Sequence, residues 1–190
     1  MKSHQRKLSK TLPLTAILLS ALFQAQAQKV MHVGATAMGT STQLGRLVNV
    51  DLRINEFSTP EDQKVLLEVF AEKGSEGLAN ALEKMNAKGR IAITGTLGYD
   101  VNYIREFKMP DGSRRIRFVT DRAIRFGEAW HSTRSMDYQL CLGELIITAQ
   151  GSKNSGTLMP AALLRLNKEG ELEIENYQNP WKLTNIRIFD

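Results

Sequence analysis

From residue 46 onward the chain is written largely in period two. Over 46–54, Val48, Val50, Leu52 and Ile54 alternate with Asn49, Asp51 and Arg53. An extended strand would carry the first set on one face and the second on the other. The alternation returns at 115–120, with Ile116 and Phe118 facing inward, and at 171–177, where Leu172 and Ile174 oppose Glu171, Glu173 and Glu175. Further strands fit 90–94, 138–149 and 181–189. Two others complete the set: a run with Tyr99, Val101, Tyr103 and Phe107 on one face, and 157–166 with Leu158, Ala162, Leu164 and Leu166 in register. The connections are short and rich in turn residues: Gly95 and Gly98, Pro110-Asp111-Gly112, the polar 150–156, and Asn167-Lys168-Glu169-Gly170. Connections of that length join antiparallel neighbours, because a parallel pair needs a crossover of a dozen residues or more. About eight such strands in succession can bury their apolar faces by curling into a sandwich or an open barrel, and the alternation does not choose between them.

One stretch breaks the pattern, residues 58–89. Thr59 suits an N-cap and Pro60 the first helical position, with Glu61 and Asp62 at the positive end of the helix dipole. Val65, Leu66, Val69 and Phe70 follow at helical spacing. Lys73-Gly74 reads as a stop, Ser75 as a new cap, and Leu78, Leu82 and Met85 as a second apolar face closed by Lys88-Gly89. The spacing therefore predicts a helical hairpin over 59–88. Neither arm is long enough to be stable alone, so both must lay their apolar faces on the sheet. Such an insert serves as a cover, or else as a lid or partner-binding element. The fold class is α+β, mainly antiparallel β with this inserted hairpin.

The N-terminus belongs to a different logic. Lys2, Arg6, Lys7 and Lys10 precede an apolar run over 12–23, too short to span a bilayer, and Ala25-Gln26-Ala27 fits the small-x-small rule. Residues 1–27 are expected to be a cleaved signal peptide and 28–190 one mature domain, exported through the secretory pathway to the periplasm or the exterior, with no integral membrane span. Cleavage removes four positive charges, taking the formal net charge from +5 to about +1. A near-neutral chain argues against nucleic acid as a partner; a small molecule or another protein stays open. Residues 29–45, rich in Gly, Thr, Ser and Ala, read as a loose arm or an edge strand. Cys141 is the sole cysteine and lies between two leucines, so no internal disulfide forms and a buried, inert thiol is expected.

Signatures of chemistry are sparse. His32 and His131 are the only histidines beyond the leader and share no metal-ligating spacing. Phosphate-binding loops and a Gly-x-Ser-x-Gly elbow do not occur. No metal and no cofactor is expected. His131, Ser135 and Asp137 could be drawn as a hydrolytic triad, but their spacing in an irregular segment favours a loop histidine. Within 121–137, Arg122, Arg125 and Arg134, with Trp130 and Tyr138, could line a pocket for an anionic or amphipathic ligand. The structural alternative, which the local acids favour, is pairing with Asp121, Glu128 and Asp137.

Several short stretches resemble an uncharacterised family of small secreted bacterial proteins: Glu56-Phe57-Ser58, Leu97-Gly98-Tyr99-Asp100, Thr120-Asp121-Arg122, Asp137-Tyr138, Ile174-Glu175-Asn176-Tyr177 and Leu183-Thr184-Asn185-Ile186-Arg187. The resemblance spans most of the mature chain and implies export, with no assigned activity and no site residue to carry over. The reading is of an exported, non-enzymatic binding or structural protein. A carrier holding a small apolar or anionic ligand under the helices is the alternative, and a hydrolase using 121–137 the third.

Overall fold

The computed structural model describes residues 30–124, 137–149, 151 and 153–189. Among these, nine strands make one antiparallel sheet: β1 (Met31–Met38), β2 (Leu47–Ile54), β3 (Gly89–Ile93), β4 (Tyr99–Lys108), β5 (Arg114–Thr120), β6 (Leu140–Ile147), β7 (Ser155–Leu166), β8 (Leu172–Asn176) and β9 (Trp181–Phe189). Their order is β6-β5-β4-β3-β2-β1-β9-β7-β8, and β6 also pairs with β7. That pairing closes eight strands into a barrel and leaves β8 as an extra strand. Closure decides what the alternation left open, and it removes the unpaired edges that an open sheet would present.

Strand β7 serves three neighbours. One edge, Ser155 to Ala162, lies on β6; on the other, Gly156–Leu158 pair with β9 and Ala162–Leu166 with β8. Beyond Ala162 the β7–β8 pair therefore leaves the barrel as a two-stranded ribbon, tipped by the 167–170 turn. Gly170 takes φ 80° there, and the Asn167 side chain accepts from the Glu169 and Glu171 N–H groups. The segment read as a loose arm or an edge strand contains β1, which is paired on both sides, by β2 and β9. Its small residues hid a period-two run in which Met31, Val33 and Ala37 are buried.

The barrel interior is filled with side chains, as an eight-stranded barrel permits. Phe118, Trp181, Ile54, Ile91, Ile104, Ile116, Leu145 and Leu158 are each 2% exposed or less. Gly143 faces Phe118 across the β5–β6 ladder, and a Cβ at that position would lie 2.0 Å from the ring's Cζ. The glycine is a space requirement of the core. Charged side chains such as Arg53, Arg117 and Glu144 lie outside, the inverse of a barrel that turns its apolar face to lipid. No helix of the described residues is long and apolar enough to cross a membrane.

Among the described residues three bulges interrupt the ladder; one lies between β1 and β9 at Gly34–Thr36, and the other two re-aim side chains of β4 and β7 that strict alternation would have placed elsewhere. In β4 the register shifts between Val101 and Tyr103, so Val101 and Ile104 point inward while Tyr103 points out. Tyr99, Val101, Tyr103 and Phe107 therefore do not share one face. Opposite the irregularity between Leu140 and Leu142, β7 spends an additional residue around Pro160, which has no N–H for a ladder. Leu158 thus faces the interior, whereas Leu164 packs outside.

In place of a hairpin of two separate helices there is one helical element, α1 (Pro60–Glu83), kinked at Gly74 (φ 61°, ψ −156°). Thr59 caps it in a reciprocal capping box with Asp62. Both flanks of α1 return to β4: Ser58 donates its N–H to Ile104 and accepts the Ile104 N–H on Oγ, while the Lys88 N–H donates to Val101. A straight helix of 24 residues would be about 36 Å long and could not do this. Gly74 makes the sharp change of direction within a single residue, because glycine alone takes that backbone geometry without a Cβ penalty.

Candidate functional site

Helix α1 lies on the outer surface of the barrel. Leu66, Phe70, Leu78, Ala79 and Leu82 pack against Leu140, Leu142 and Ala162, with Tyr103, Val119, Met159 and Leu164 at the margin. Every one of the sheet residues is an outward-facing position on β4, β5, β6 or β7. The register supplies the row directly, since Tyr103 opposes Val119 and Val119 opposes Leu142, which opposes Met159.

The cover is incomplete. Between α1, the barrel surface and the β7–β8 ribbon runs a groove of about 370 Å³. Tyr103, Val119 and Leu164 form its floor. The first arm of α1 contributes Gln63, Leu66, Leu67 and Phe70, the second arm Leu78 and Leu82, and the ribbon closes one side with Leu166, Gly170 and Leu172. The volume is in the range that holds a small-molecule ligand, and the lining is mostly apolar with few polar groups.

The ribbon explains why the groove exists. Leu164 pairs with Ile174 and Leu166 with Leu172, so four apolar side chains share one face while Glu171, Glu173 and Glu175 take the other. Only Leu164 reaches the packed cluster. Leu166, Leu172 and Ile174 are 45–57% exposed, and Leu67 on the facing helix is 58% exposed. Apolar side chains left this open on both sides of a concavity mark a binding surface rather than scattered surface leucines.

Among the described residues, polar side chains in the groove lining are Gln63 and the Tyr103 phenol. Burial raises the Tyr103 pKa above the ordinary tyrosine value; the Arg105 guanidinium opposes the shift and Asp62 adds to it. Arg105 and Arg117 form the cross-strand pair next to Tyr103–Val119 on the same face. Arg117 Nε lies 2.7 Å from Glu144 and Arg115 Nε 3.8 Å from the same carboxylate. Arg105 and Arg117 each place a guanidinium 5.8 Å from the centre of the Phe107 ring.

The residues singled out in the sequence lie elsewhere. Arg122 makes a fork with Asp121, its Nη2 2.5 Å and its Nε 3.1 Å from the carboxylate, with the arginine largely exposed and the acid buried. Tyr138 stacks at a tilt on Tyr177, ring centres 5.6 Å apart, and its hydroxyl reaches Glu175 at 3.5 Å. Neither lines the groove. Arg125, Trp130 and Arg134, and with them His131 and Ser135, lie outside the described residues. Cys141 is fully buried in the barrel, where desolvation holds its thiol far above the ordinary value. Among the described residues no three His, Cys, Asp or Glu side chains gather in a metal-binding group.

Sequence reasoning passed over the ribbon face and the arginine pair. The signal for the first was present, because apolar residues at 164, 166, 172 and 174 flank a turn symmetrically. The second needed the β4 bulge, which no residue type announces. Compared with family models, with curated proteins and with solved structures, the chain finds no significant match.

Proposed function

We propose that this chain is exported to the periplasm or beyond and acts there as a non-enzymatic binding protein, holding a small apolar or amphipathic molecule in the groove beneath α1. The observation that carries the reading is the groove itself: a partly covered apolar concavity whose two walls, helix and ribbon, both expose leucines. The leader pattern of residues 1–27 supports export. The lining supports binding over catalysis, since it offers apolar surface, one amide and one phenol whose raised pKa keeps it protonated at neutral pH.

Because the barrel interior is filled with side chains, this reading has the ligand outside the barrel, in contrast to carriers that hold their cargo in the lumen. Titration of the mature protein with a fluorescent apolar probe tests the reading. Saturable binding that weakens in Leu67→Ser or Leu172→Ser, with melting temperature unchanged, is expected. Binding that is non-saturable or indifferent to both substitutions would refute it. N-terminal sequencing of the exported protein tests the localisation, with Gln28 expected as the first residue.

A further inference from the structure

We infer that the groove's ligand is an anionic single-chain amphiphile, its carboxylate or phosphate head held by Arg105 and Arg117; this deepens the proposal above and rests on it. The geometry is a matter of register. Tyr103 and Val119 form the groove floor, and the next pair on the same outward face of the same two strands is Arg105 opposite Arg117. Two residues along a strand is about 7 Å. An apolar chain lying on the floor therefore has two guanidinium groups at its end.

Like charges directly across an antiparallel ladder repel, so Arg105 opposite Arg117 needs a compensating reason. The anion on hand is Glu144, and it is shared between Arg117 and Arg115. The other acids near this surface are engaged elsewhere: Glu106 with Arg114 at 3.0 Å, and Asp62 with the α1 cap and Lys88. Arg115 and Arg117 thus share one carboxylate, and Arg105 lies directly across the ladder from Arg117. Arg105 Nη1 and Arg115 Nε are shielded from solvent yet have no hydrogen-bond partner among the described residues. Buried donors are normally satisfied, and an arginine fork is matched to a carboxylate or phosphate. Both guanidinium groups lie within cation–π reach of the Phe107 ring, which favours their staying beside the barrel surface. The array lies just beyond the groove lining, one register step from Tyr103 and Val119 on the same outward face, and this pairing of an apolar trough with a cationic end defines the amphiphile.

The test compares two probes of one chain length, laurate and dodecanol, each below its micelle concentration, by calorimetric titration of the mature protein at low salt. Laurate is expected to bind roughly tenfold or more tightly, the yield of a charge-assisted contact. Arg105→Gln should bring laurate down to the level of dodecanol while leaving dodecanol binding and the melting temperature unchanged, which also shows that the variant is folded. Raising the salt should weaken laurate alone. Equal binding of the two probes, or an unchanged preference in both Arg105→Gln and Arg117→Gln, overturns the head site and leaves the groove standing. Failure of both probes to bind overturns the groove reading as well. Adsorption to anionic phospholipid vesicles without binding of monomeric laurate would make the occupant a membrane surface and refute the inference.

Discussion

The barrel interior and the seam beneath α1 are built from the same kinds of residue and reach opposite ends. Inside, strand closure surrounds each side chain on every side, and Trp181, Phe118 and their neighbours are almost wholly buried. At the seam, a kinked helix and a two-stranded ribbon meet a convex sheet. Convex and straight surfaces touch along a line, so leucines at either side of that line stay open to solvent and a concavity remains. The difference teaches that the apolar content of a segment does not say whether it is core or site. What decides is whether the elements around it close.

The sharpest way to break this comparison is to cut into each region and compare losses. Phe118→Ala should destabilise the protein by about 3–5 kcal/mol in urea unfolding, the range for a fully enclosed aromatic. If that loss were under about 1 kcal/mol, the interior would not be the packed region described. Cys141 sharpens the same point without a mutation. Its thiol is buried and held in the neutral form, so a thiol reagent in native buffer should label it only as fast as the barrel opens, and promptly in denaturant. Rapid labelling of the native protein would place Cys141 on an accessible surface.

Phe70 sits at the seam, buried but against the groove. Its replacement by Ala should cost less than the loss at Phe118, about 2–3 kcal/mol, because one side of the cavity it leaves is already open. Equal losses at Phe70 and Phe118 would mean the seam is as enclosed as the interior. Tyr103 gives a smaller effect with a definite sign. Its folded-state pKa is raised, so folded and unfolded states are both protonated below the ordinary tyrosine value, and its contribution is intact there. Above that value the unfolded chain releases the proton first, and stability falls as the pH rises toward the raised folded value. Urea midpoints of Tyr103→Phe should therefore fall less steeply than wild type between about pH 9 and 11; parallel curves would count against the burial of this phenol. The smallest effect belongs to the ribbon, where Leu172→Ser should change stability by no more than about 0.5 kcal/mol. A larger loss would make Leu172 part of the core rather than of the open wall.

Much of this was legible in the residues. Alternation placed β2, β5 and β8 and the inward faces of the first two, and Pro110-Asp111-Gly112 and Asn167 to Gly170 marked turns because each supplies a dihedral or an acceptor the turn requires. The stop at Gly74 was legible too, although its result is a kink within one helical element. The groove was not legible as a site. It combines Tyr103, Leu67 and Leu172, positions far apart in the chain whose proximity depends on where α1 lies. The arginines of 121–137 are dense in sequence, whereas Arg105 and Arg117 become neighbours only across a ladder.

By itself, then, the sequence determined the local alphabet: which runs extend, where they turn, which face is apolar where no bulge intervenes, and that Cys141 would be buried. These follow from side-chain period and backbone dihedrals within a few residues. The tertiary structure alone decided closure into a barrel, the paired place of β1, the bulges and the groove. Closure rests on one long-range pairing, β1 with β9, which joins the two ends of the described chain, and a bulge arises where strands must bend to achieve it. Both depend on the free energy of the whole sheet, which no local window of residues contains.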